Sequence, residues 1–415
     1  MSNPIKPILI SLLVGLYFGA PVLASDAITK IKDYFTKNKI SQNMQMANDL
    51  ESLINNLSKS LNGRPFEYTQ WSGFSGVGIN KSEVFAYSNM VIDHIKVAQS
   101  QTPEAVQVII AGGTVDGIGM LDEVIRSAQA RRKIKPVVYV GMMSAAGAGY
   151  PSQISRHHDH LMVMDTFVGP DGKMSWELKK SPHGMSMTAQ IHKALLSLEN
   201  CLGGTQEYFE GGEVALRESA EILALASSRD FPRSKFRLVL HPGVNPAAVA
   251  NPAKDKGFRA ATILAHILHE SPGLIPQGLS LLIEPNHQAP DRWRTGDFKA
   301  KYSLEEYFTQ KHDDIDPRIN LEEGHFEQQV REAERIIVEA KSQLGSAANW
   351  SKNRPVSQGY YGSRQYFQGL IRYYEARILF MQSWLRFQKR YPEGKNIFLS
   401  AMKSCEASLS SNDLH

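Results

Sequence analysis

The sequence has few cysteines, little excess of charge of either sign, and a single long hydrophobic run. Its 415 residues include only two cysteines, Cys201 and Cys405, which excludes a disulfide framework and a four-thiolate zinc site. Lysine and arginine number 46 against 42 aspartate and glutamate. This excess is too small for the dense basic face of a nucleic-acid-binding protein. Hydrophobic residues make up 42% of the chain, which is enough for a buried core and excludes disorder of the whole chain.

The hydrophobic run lies close to the amino terminus. Residues 8–24 carry no charge, follow Lys6, and end at Ala24 beside Ser25. A basic start, an apolar middle and a small-residue end are typical of a secretory signal peptide, so we predict cleavage after Ala24 and a periplasmic or secreted protein. Pro21 favours this interpretation because it breaks a helix next to the cleavage site. The alternative is an uncleaved inner-membrane anchor that keeps the chain near the membrane.

Hydrophobic periodicity divides the remaining chain into three segments. Residues 25–63 have the spacing of one or two amphipathic helices. In residues 64–204, short apolar runs alternate with helical patterns, which is typical of a largely parallel α/β sheet. Residues 205–415 are predicted to be a mainly helical domain. The individual predictions are strands at 106–111, 136–140 and 161–164, a hairpin at 166–176, and helices at 117–131, 187–202, 323–345 and 363–391.

Residues 106–150 carry the clearest chemical motifs. A buried strand ends at Gly112 and Gly113, and a second strand leads into a small-residue elbow that contains Ser144. Glycines after a strand leave backbone N–H groups free to face a ligand oxygen, and the start of the following helix favours negative charge. We therefore predict an oxyanion site at Gly112 and Gly113.

These motifs resemble those of the Clp-type serine peptidases and the signal-peptide peptidase A group, which share the Clp/crotonase fold. The matching segments are Gly112–Val115, Lys135–Val138 and the elbow at 141–150, within a resemblance that covers about a third of the chain. The resemblance implies an α/β protein with a Clp/crotonase-like repeated β-β-α spiral core. This core would lie between the N-terminal helical segment and the mainly α-helical C-terminal region.

The resemblance also implies an exported serine peptidase that cleaves polypeptides by acyl transfer without a cofactor. Ser144 would attack, Lys193 or His183 would act as its base, and the N–H groups near Gly112 and Gly113 would hold the oxyanion.

The family pattern does not match this sequence at the catalytic positions. The family's serine falls at Ala145 or Gly147, and its histidine falls near Asp165. The alternative is a catalytically degenerate Clp-like scaffold that binds protein partners, and Clp-like units commonly form homo-oligomers. A weaker alternative is a patatin-like lipid acyl hydrolase with a dyad of Ser144 and Asp171, although the Gly-x-Ser-x-Gly elbow is missing.

Three histidine-containing segments were weighed as metal sites, and we predict none. Residues 156–160 are predicted to be a solvated loop, and His266 and His269 lack the spacing of a zinc-protease helix. Residues 312–316 are predicted to be an acidic loop. If the chain is exported, Cys201 and Cys405 are candidates for a disulfide, because the compartment is oxidising.

Overall fold

The computed structural model describes residues 21–40, 44–73, 81–115, 117–167, 187–242, 259–284, 301–310, 323–350 and 364–390. The strands are β1 (Pro21–Val22), β2 (Gln45–Ala47), β3 (Phe66–Gly73), β4 (Val106–Gly112), β5 (Val138–Ser144), β6 (His160–Met164), β7 (Thr166–Phe167), β8 (Cys201–Phe209), β9 (Phe236–Leu240) and β10 (Ser280–Ile283). The helices are α1 (Ala24–Lys37), α2 (Leu50–Leu61), α3 (Lys81–Gln101), α4 (Leu121–Ala130), α5 (Met187–Leu196), α6 (Glu213–Ala226), α7 (Ala260–Glu270), α8 (Leu304–Gln310), α9 (Glu323–Trp350) and α10 (Arg364–Arg390).

One eight-stranded sheet organises the described chain. Its strand order is β10-β9-β8-β3-β4-β5-β6-β2, and every neighbouring pair is parallel. Helices cross between successive strands, as parallel pairing requires. The prediction of an α/β protein with a largely parallel sheet is confirmed. The finer expectation of a Clp/crotonase spiral stays a prediction.

The strand order reverses beside the central strand β3, and β2, which precedes β3 in the chain, lies at the far edge beside β6. From β3 the chain adds β4, β5 and β6 on one side, and then returns to place β8, β9 and β10 on the other. The reversal therefore lies between β3 and β8. The predicted boundary between residues 204 and 205 falls inside β8, so both predicted segments contribute strands to the same sheet.

The two faces of the sheet carry different helices. Side chains alternate along each strand, so Tyr139 lies in the core beneath α3 and α4, whereas Val140 lies in the core of the opposite face. We call these the front face and the back face. Helices α1, α3 and α4 pack on the front face, and α2, α5, α6 and α7 pack on the back face.

The two long C-terminal helices form an outer layer on the back face. Helix α10 packs on α6, and α9 packs on α10. Gly369 allows this close approach, because a Cβ there would lie 2.9 Å from Ala224 Cα. Both helices were predicted from their apolar spacing, and both predictions are confirmed.

Most predicted strands are confirmed, and the main difference concerns the segment near Cys201. The predicted helix 187–202 ends at Leu196, and β8 begins at Cys201. The sequence pattern did not predict this strand because Gly203 and Gly204 are unfavourable in strands. Gly204 is nevertheless required here, because a Cβ there would lie 2.3 Å from the Tyr68 ring. Residues 25–63 form two helices with β2 between them. Of the predicted hairpin at 166–176, only the residues of β7 are described.

The first described residues belong to the fold. Strand β1 pairs antiparallel with β7, and the buried Ala24 N–H donates to Asp165 Oδ1 at 2.9 Å. Cleavage after Ala24 would remove these contacts. No helix within the described residues has the length and hydropathy needed to cross a membrane.

Gly141 provides a test of packing on the front face. A Cβ at Gly141 would lie 2.2 Å from Cδ2 of His158, whose ring stacks on Tyr139 with centroids 5.0 Å apart. We expect Gly141→Ala to lower the free energy of unfolding in urea by about 1–3 kcal/mol. The control is Gly273→Ala, where nothing lies within 4 Å of the new Cβ. Equal stability of the two variants would contradict this packing.

Candidate active site

The candidate active site lies at the carboxyl edge of the sheet, where the strand order reverses. In open parallel sheets, ligands bind in the crevice outside the carboxyl ends of the strands at this point. Strand β3 ends at Gly73, and β8 is followed by Gly211 and Gly212. Glycines at strand ends let a ligand approach the backbone closely.

The turn between β8 and α6 has an unusual backbone conformation. Glu210 and Gly211 have φ angles of 48° and 113°, both in the left-handed region. Gly211 is required here, because a Cβ would also lie 2.6 Å from Ala215 Cβ. The buried Glu210 carboxylate accepts from Thr262 N at 3.1 Å and from Thr262 Oγ1, so it binds the first turn of α7.

This turn leaves the amino terminus of α6 open. Gly212 is the N-cap residue, with φ −90°, and no side chain caps the helix there. Among the described residues nothing lies within 4 Å of a Cβ on Gly212, and Val214 in the first turn is 52% exposed. The first N–H groups of a helix have no partner within the helix, and its dipole places partial positive charge at this end. The turn can therefore accept an anion.

Glu218 lies further along the same helix and carries a perturbed carboxyl group. Ser72 Oγ donates to Glu218 Oε2 at 3.1 Å, and Thr188 Oγ1 donates to Oε1 at 3.2 Å. Burial raises the pKa of Glu218 to about 7, although the hydrogen bonds from Ser72 and Thr188 lower it. A carboxyl group with this pKa can accept or donate a proton near neutral pH.

A directed chain of hydrogen bonds holds Ser72 against Glu218. Tyr68 donates to His192 Nδ1 at 2.9 Å, and His192 Nε2–H donates to Gln206 Oε1 at 2.9 Å. Gln206 Nε2 then donates to Ser72 Oγ at 3.1 Å. Burial lowers the pKa of His192 to about 4, so its ring is neutral and can both accept and donate. The second hydrogen of Gln206 Nε2 is donated to Glu207 O at 3.3 Å. Because Ser72 Oγ accepts from Gln206, its own hydrogen is directed at Glu218.

Ser144, the predicted nucleophile, lies at the carboxyl end of β5 on the back face. It is 3% exposed, and its Oγ has no hydrogen-bond partner among the described residues. The predicted base Lys193, on α5, is therefore not bonded to it, although burial lowers the Lys193 pKa. The alternative base His183 and the dyad residue Asp171 lie outside the described residues. The structure does not bring a base to Ser144 within the part of the chain that it describes.

The predicted oxyanion turn is engaged in backbone hydrogen bonds. The N–H of Gly113 donates to Met142 O at 2.8 Å, and Gly113 O accepts from Ser155 N at 3.2 Å. Gly112 is the last residue of β4 and pairs with Met142. Because the Gly113 N–H already has an acceptor, it is not free to face a ligand oxygen.

The segment 156–160 is not a solvated loop throughout, which corrects that prediction. His158 and His160 are 4% and 1% exposed, because the chain turns inward here to begin β6. His158 Nδ1 lies 3.4 Å from Asp122 Oδ2, and Asp122 also accepts from Ser155. The carboxylate thus lies between serine and histidine, whereas in a catalytic triad the histidine lies between serine and carboxylate.

The other histidines considered as metal ligands pack against an aromatic ring, and the disulfide candidate Cys201 is buried. His266 and His269 lie on α7, and both rings contact Phe308. No group of three or more metal-ligating side chains is placed to bind a metal ion within the described ranges. Residues 312–316 lie outside them. Cys201 is a buried free thiol whose pKa burial raises to about 11, and Cys405 lies outside the described residues.

Comparison with known proteins gives no family assignment. No protein-family model matches the chain, and no curated protein matches it at a significant level. Function is therefore inferred from the geometry of the site.

Glu218, Ser72 and Thr188 lie outside the motifs from which a site was predicted. The sequence does contain a pattern that indicates a ligand site near them, namely glycines between a strand and a helix. One such signal is Gly211 and Gly212 before α6, and another is the run 73–78 (GFSGVG) between β3 and α3. Residues 74–78 of this second run lie outside the described residues.

Proposed function

We propose that this protein binds a small phosphate-bearing ligand of the nucleotide class between the carboxyl ends of β3 and β8, and that Glu218 transfers a proton there. One observation carries the proposal. The reversal of strand order between β3 and β8 coincides with the amino terminus of α6, which no side chain of the described residues caps. A Gly-rich turn that leads from a parallel strand into a helix is a general phosphate-binding arrangement.

The chemistry of the turn favours phosphate. Backbone N–H groups and the helix dipole stabilise an anion, and the missing side chain at Gly212 leaves room for phosphate oxygens. Glu218 is five residues from Glu213 along α6, a separation of about 7.5 Å at 1.5 Å per residue. A phosphate at the helix terminus would therefore place the rest of a nucleotide-sized ligand within reach of Glu218.

A matched set of ligands tests the proposal. Thermal unfolding of the full chain would be followed with AMP, ADP and NAD, and with adenosine, which has the same base and sugar without phosphate. We expect at least one phosphate-bearing ligand to raise Tm in a concentration-dependent way, and adenosine to have no effect. Equal shifts with adenosine, or no shift with any ligand, would contradict the proposal.

Glu218 should also make binding depend on pH. The bridging phosphates of NAD do not titrate near neutrality, whereas Glu218 loses its proton above about pH 7. The negative charge on deprotonated Glu218 repels the bound anion. A repulsion of roughly 1 kcal/mol corresponds to about a fivefold fall in NAD affinity between pH 6 and pH 8.5. In Glu218→Gln the affinity, measured by calorimetry, should be independent of pH. The same pH profile in both proteins would refute a role for Glu218.

Acyl transfer by Ser144, which the sequence resemblance implies, is the alternative function with which the nucleotide proposal competes. A fluorophosphonate probe tests it directly. We expect no labelling, because the buried Ser144 hydroxyl has no base within hydrogen-bond distance among the described residues. Labelling that Ser144→Ala abolishes would instead support a peptidase.

A further inference from the structure

The front face carries a cavity that the proposed nucleotide site does not use. It has a volume of about 470 Å³ and lies between α3 and strands β3, β8, β9 and β10. This volume falls within the roughly 300–1,000 Å³ of small-molecule sites. Glu207 lines the cavity on the front face. Its neighbour Gln206 points to the back face, where it donates a hydrogen bond to Ser72. The two sites thus lie on opposite faces of the sheet.

Two buried carboxylates and one imidazole lie at one end of the cavity. Glu207 and Glu284 are 5% and 3% exposed. His94 lies between them, with Nδ1 3.4 Å from Glu207 Oε2 and Nε2 3.0 Å from Glu284 Oε1. Burial alone would lower the His94 pKa, but its hydrogen bonds to both carboxylates raise it to about 9. His241 Nε2 also lies 3.1 Å from Glu207 Oε2. Glu207 therefore has two imidazole partners, whereas Glu284 has only His94 within hydrogen-bond distance of its side chain among the described residues.

The second cation at this end is held loosely. Lys301 Nζ lies 3.7 Å from Glu284 Oε2, beyond hydrogen-bond distance, and its side chain is 38% exposed. Glu284 Oε2 is therefore a buried acceptor with no hydrogen-bond partner among the described residues. Three other charged groups line the cavity. Glu67 accepts from Thr102 Oγ1 and Gln107 Nε2, Asp93 pairs with Lys96, and Arg237 is exposed.

The adjoining wall is apolar and carries one unsatisfied donor. Trp71, Ile109 and Val239 line this part of the cavity. Trp71 is 3% exposed, and its indole N–H has no acceptor among the described residues. A buried polar group without a partner is costly, so a ligand that satisfies it gains affinity. The cavity thus offers a buried carboxylate oxygen without a hydrogen-bond partner among the described residues, an apolar wall and the Trp71 N–H as a donor.

We propose that this cavity is a second binding site, which takes a small primary amine with an apolar body and a hydroxyl group. The ammonium group donates to Glu284 Oε2 and displaces Lys301. The apolar body packs against Trp71, and the hydroxyl oxygen accepts from its indole N–H. The proposal is independent of the nucleotide site.

Tyramine is the probe, and its alcohol analogue tyrosol is the matched control, since it replaces the ammonium group with a hydroxyl. In calorimetric titrations of the full chain, we expect tyramine to bind at least tenfold more tightly than tyrosol. Glu284→Gln should weaken tyramine binding at least tenfold, and Lys301→Met should strengthen it, because the competing cation is gone. Circular dichroism confirms that each variant is folded.

Three results would overturn the proposal. The first is no heat of binding for tyramine up to roughly 10 mM, a limit that covers the weak affinities of small ligands. The second is equal binding of tyramine and tyrosol. The third is that the folded Glu284→Gln and Lys301→Met proteins both bind tyramine with the affinity of the wild type. None of these results depends on whether AMP or NAD binds.

Discussion

Nucleotide binding should be lost in Gly212→Asp, although the folded protein should be at least as stable as the wild type. Aspartate is a better N-cap residue than glycine, and the part of the chain that the structure describes leaves room for it, since none of its atoms lies within 4 Å of a Cβ at Gly212. Its carboxylate would bind the first N–H groups of α6 and repel a phosphate. We expect Kd for the nucleotide to rise at least about 100-fold, which corresponds to roughly 2.7 kcal/mol.

Gly212→Asn is the control that separates charge from size. Asparagine caps a helix about as well as aspartate and has nearly the same volume, but it carries no charge. Its loss of affinity, measured by the same titration, should be at least tenfold smaller than that of Gly212→Asp. If Gly212→Asp bound the nucleotide as the wild type does, the phosphate would have to lie elsewhere.

Glu207→Leu should lower the free energy of unfolding by about 3–5 kcal/mol, because it removes the shared partner of the buried His241 and the half-buried His94. Glu207 Oε2 lies 3.1 Å from His241 Nε2 and 3.4 Å from His94 Nδ1. These hydrogen bonds hold the pKa of Glu207 below its usual range, despite the opposing effect of burial. Urea unfolding at pH 6 measures the loss.

Asp93→Ala is the matched control, since it breaks the exposed pair with Lys96 on the same helix and should cost less than about 1 kcal/mol. The effect of Glu207→Leu should also depend on pH. The His94 pKa is raised from 6.5 to about 9, so its ion pairs stabilise the fold fully below pH 6.5 and lose this effect as pH rises through 9. The difference between wild type and Glu207→Leu should therefore shrink over this window. A difference that grew with pH would contradict the ionic cluster.

The fold could be predicted from the sequence wherever local patterns decide it. The β-branched runs that became β4 and β5 and the apolar stripes of α9 and α10 are determined by short-range spacing. Strand β8 was missed because its first half contains Gly203 and Gly204. These glycines suit the strand only because Tyr68, on the neighbouring strand β3, fills the space beside Gly204. That information lies in tertiary packing, and no local pattern carries it.

The site was less predictable because it depends on strand order. Gly112 and Gly113 have the expected local pattern, but the Gly113 N–H is taken by Met142, and this contact is visible only once β4 and β5 are paired. Glu218 looks like an ordinary helix residue in the sequence. It becomes distinctive because β8 lies beside β3, which brings Ser72 to it across 146 residues of chain.

The most direct test of the central claim is a crystal structure of the full chain grown with the phosphate-bearing ligand that raises Tm most. We predict that phosphate oxygens lie about 3 Å from the backbone nitrogens of Val214 and Ala215, at the start of α6. The rest of the ligand should extend towards Glu218. Phosphate density at another place, with the turn at Gly211 and Gly212 empty, would contradict the proposed site.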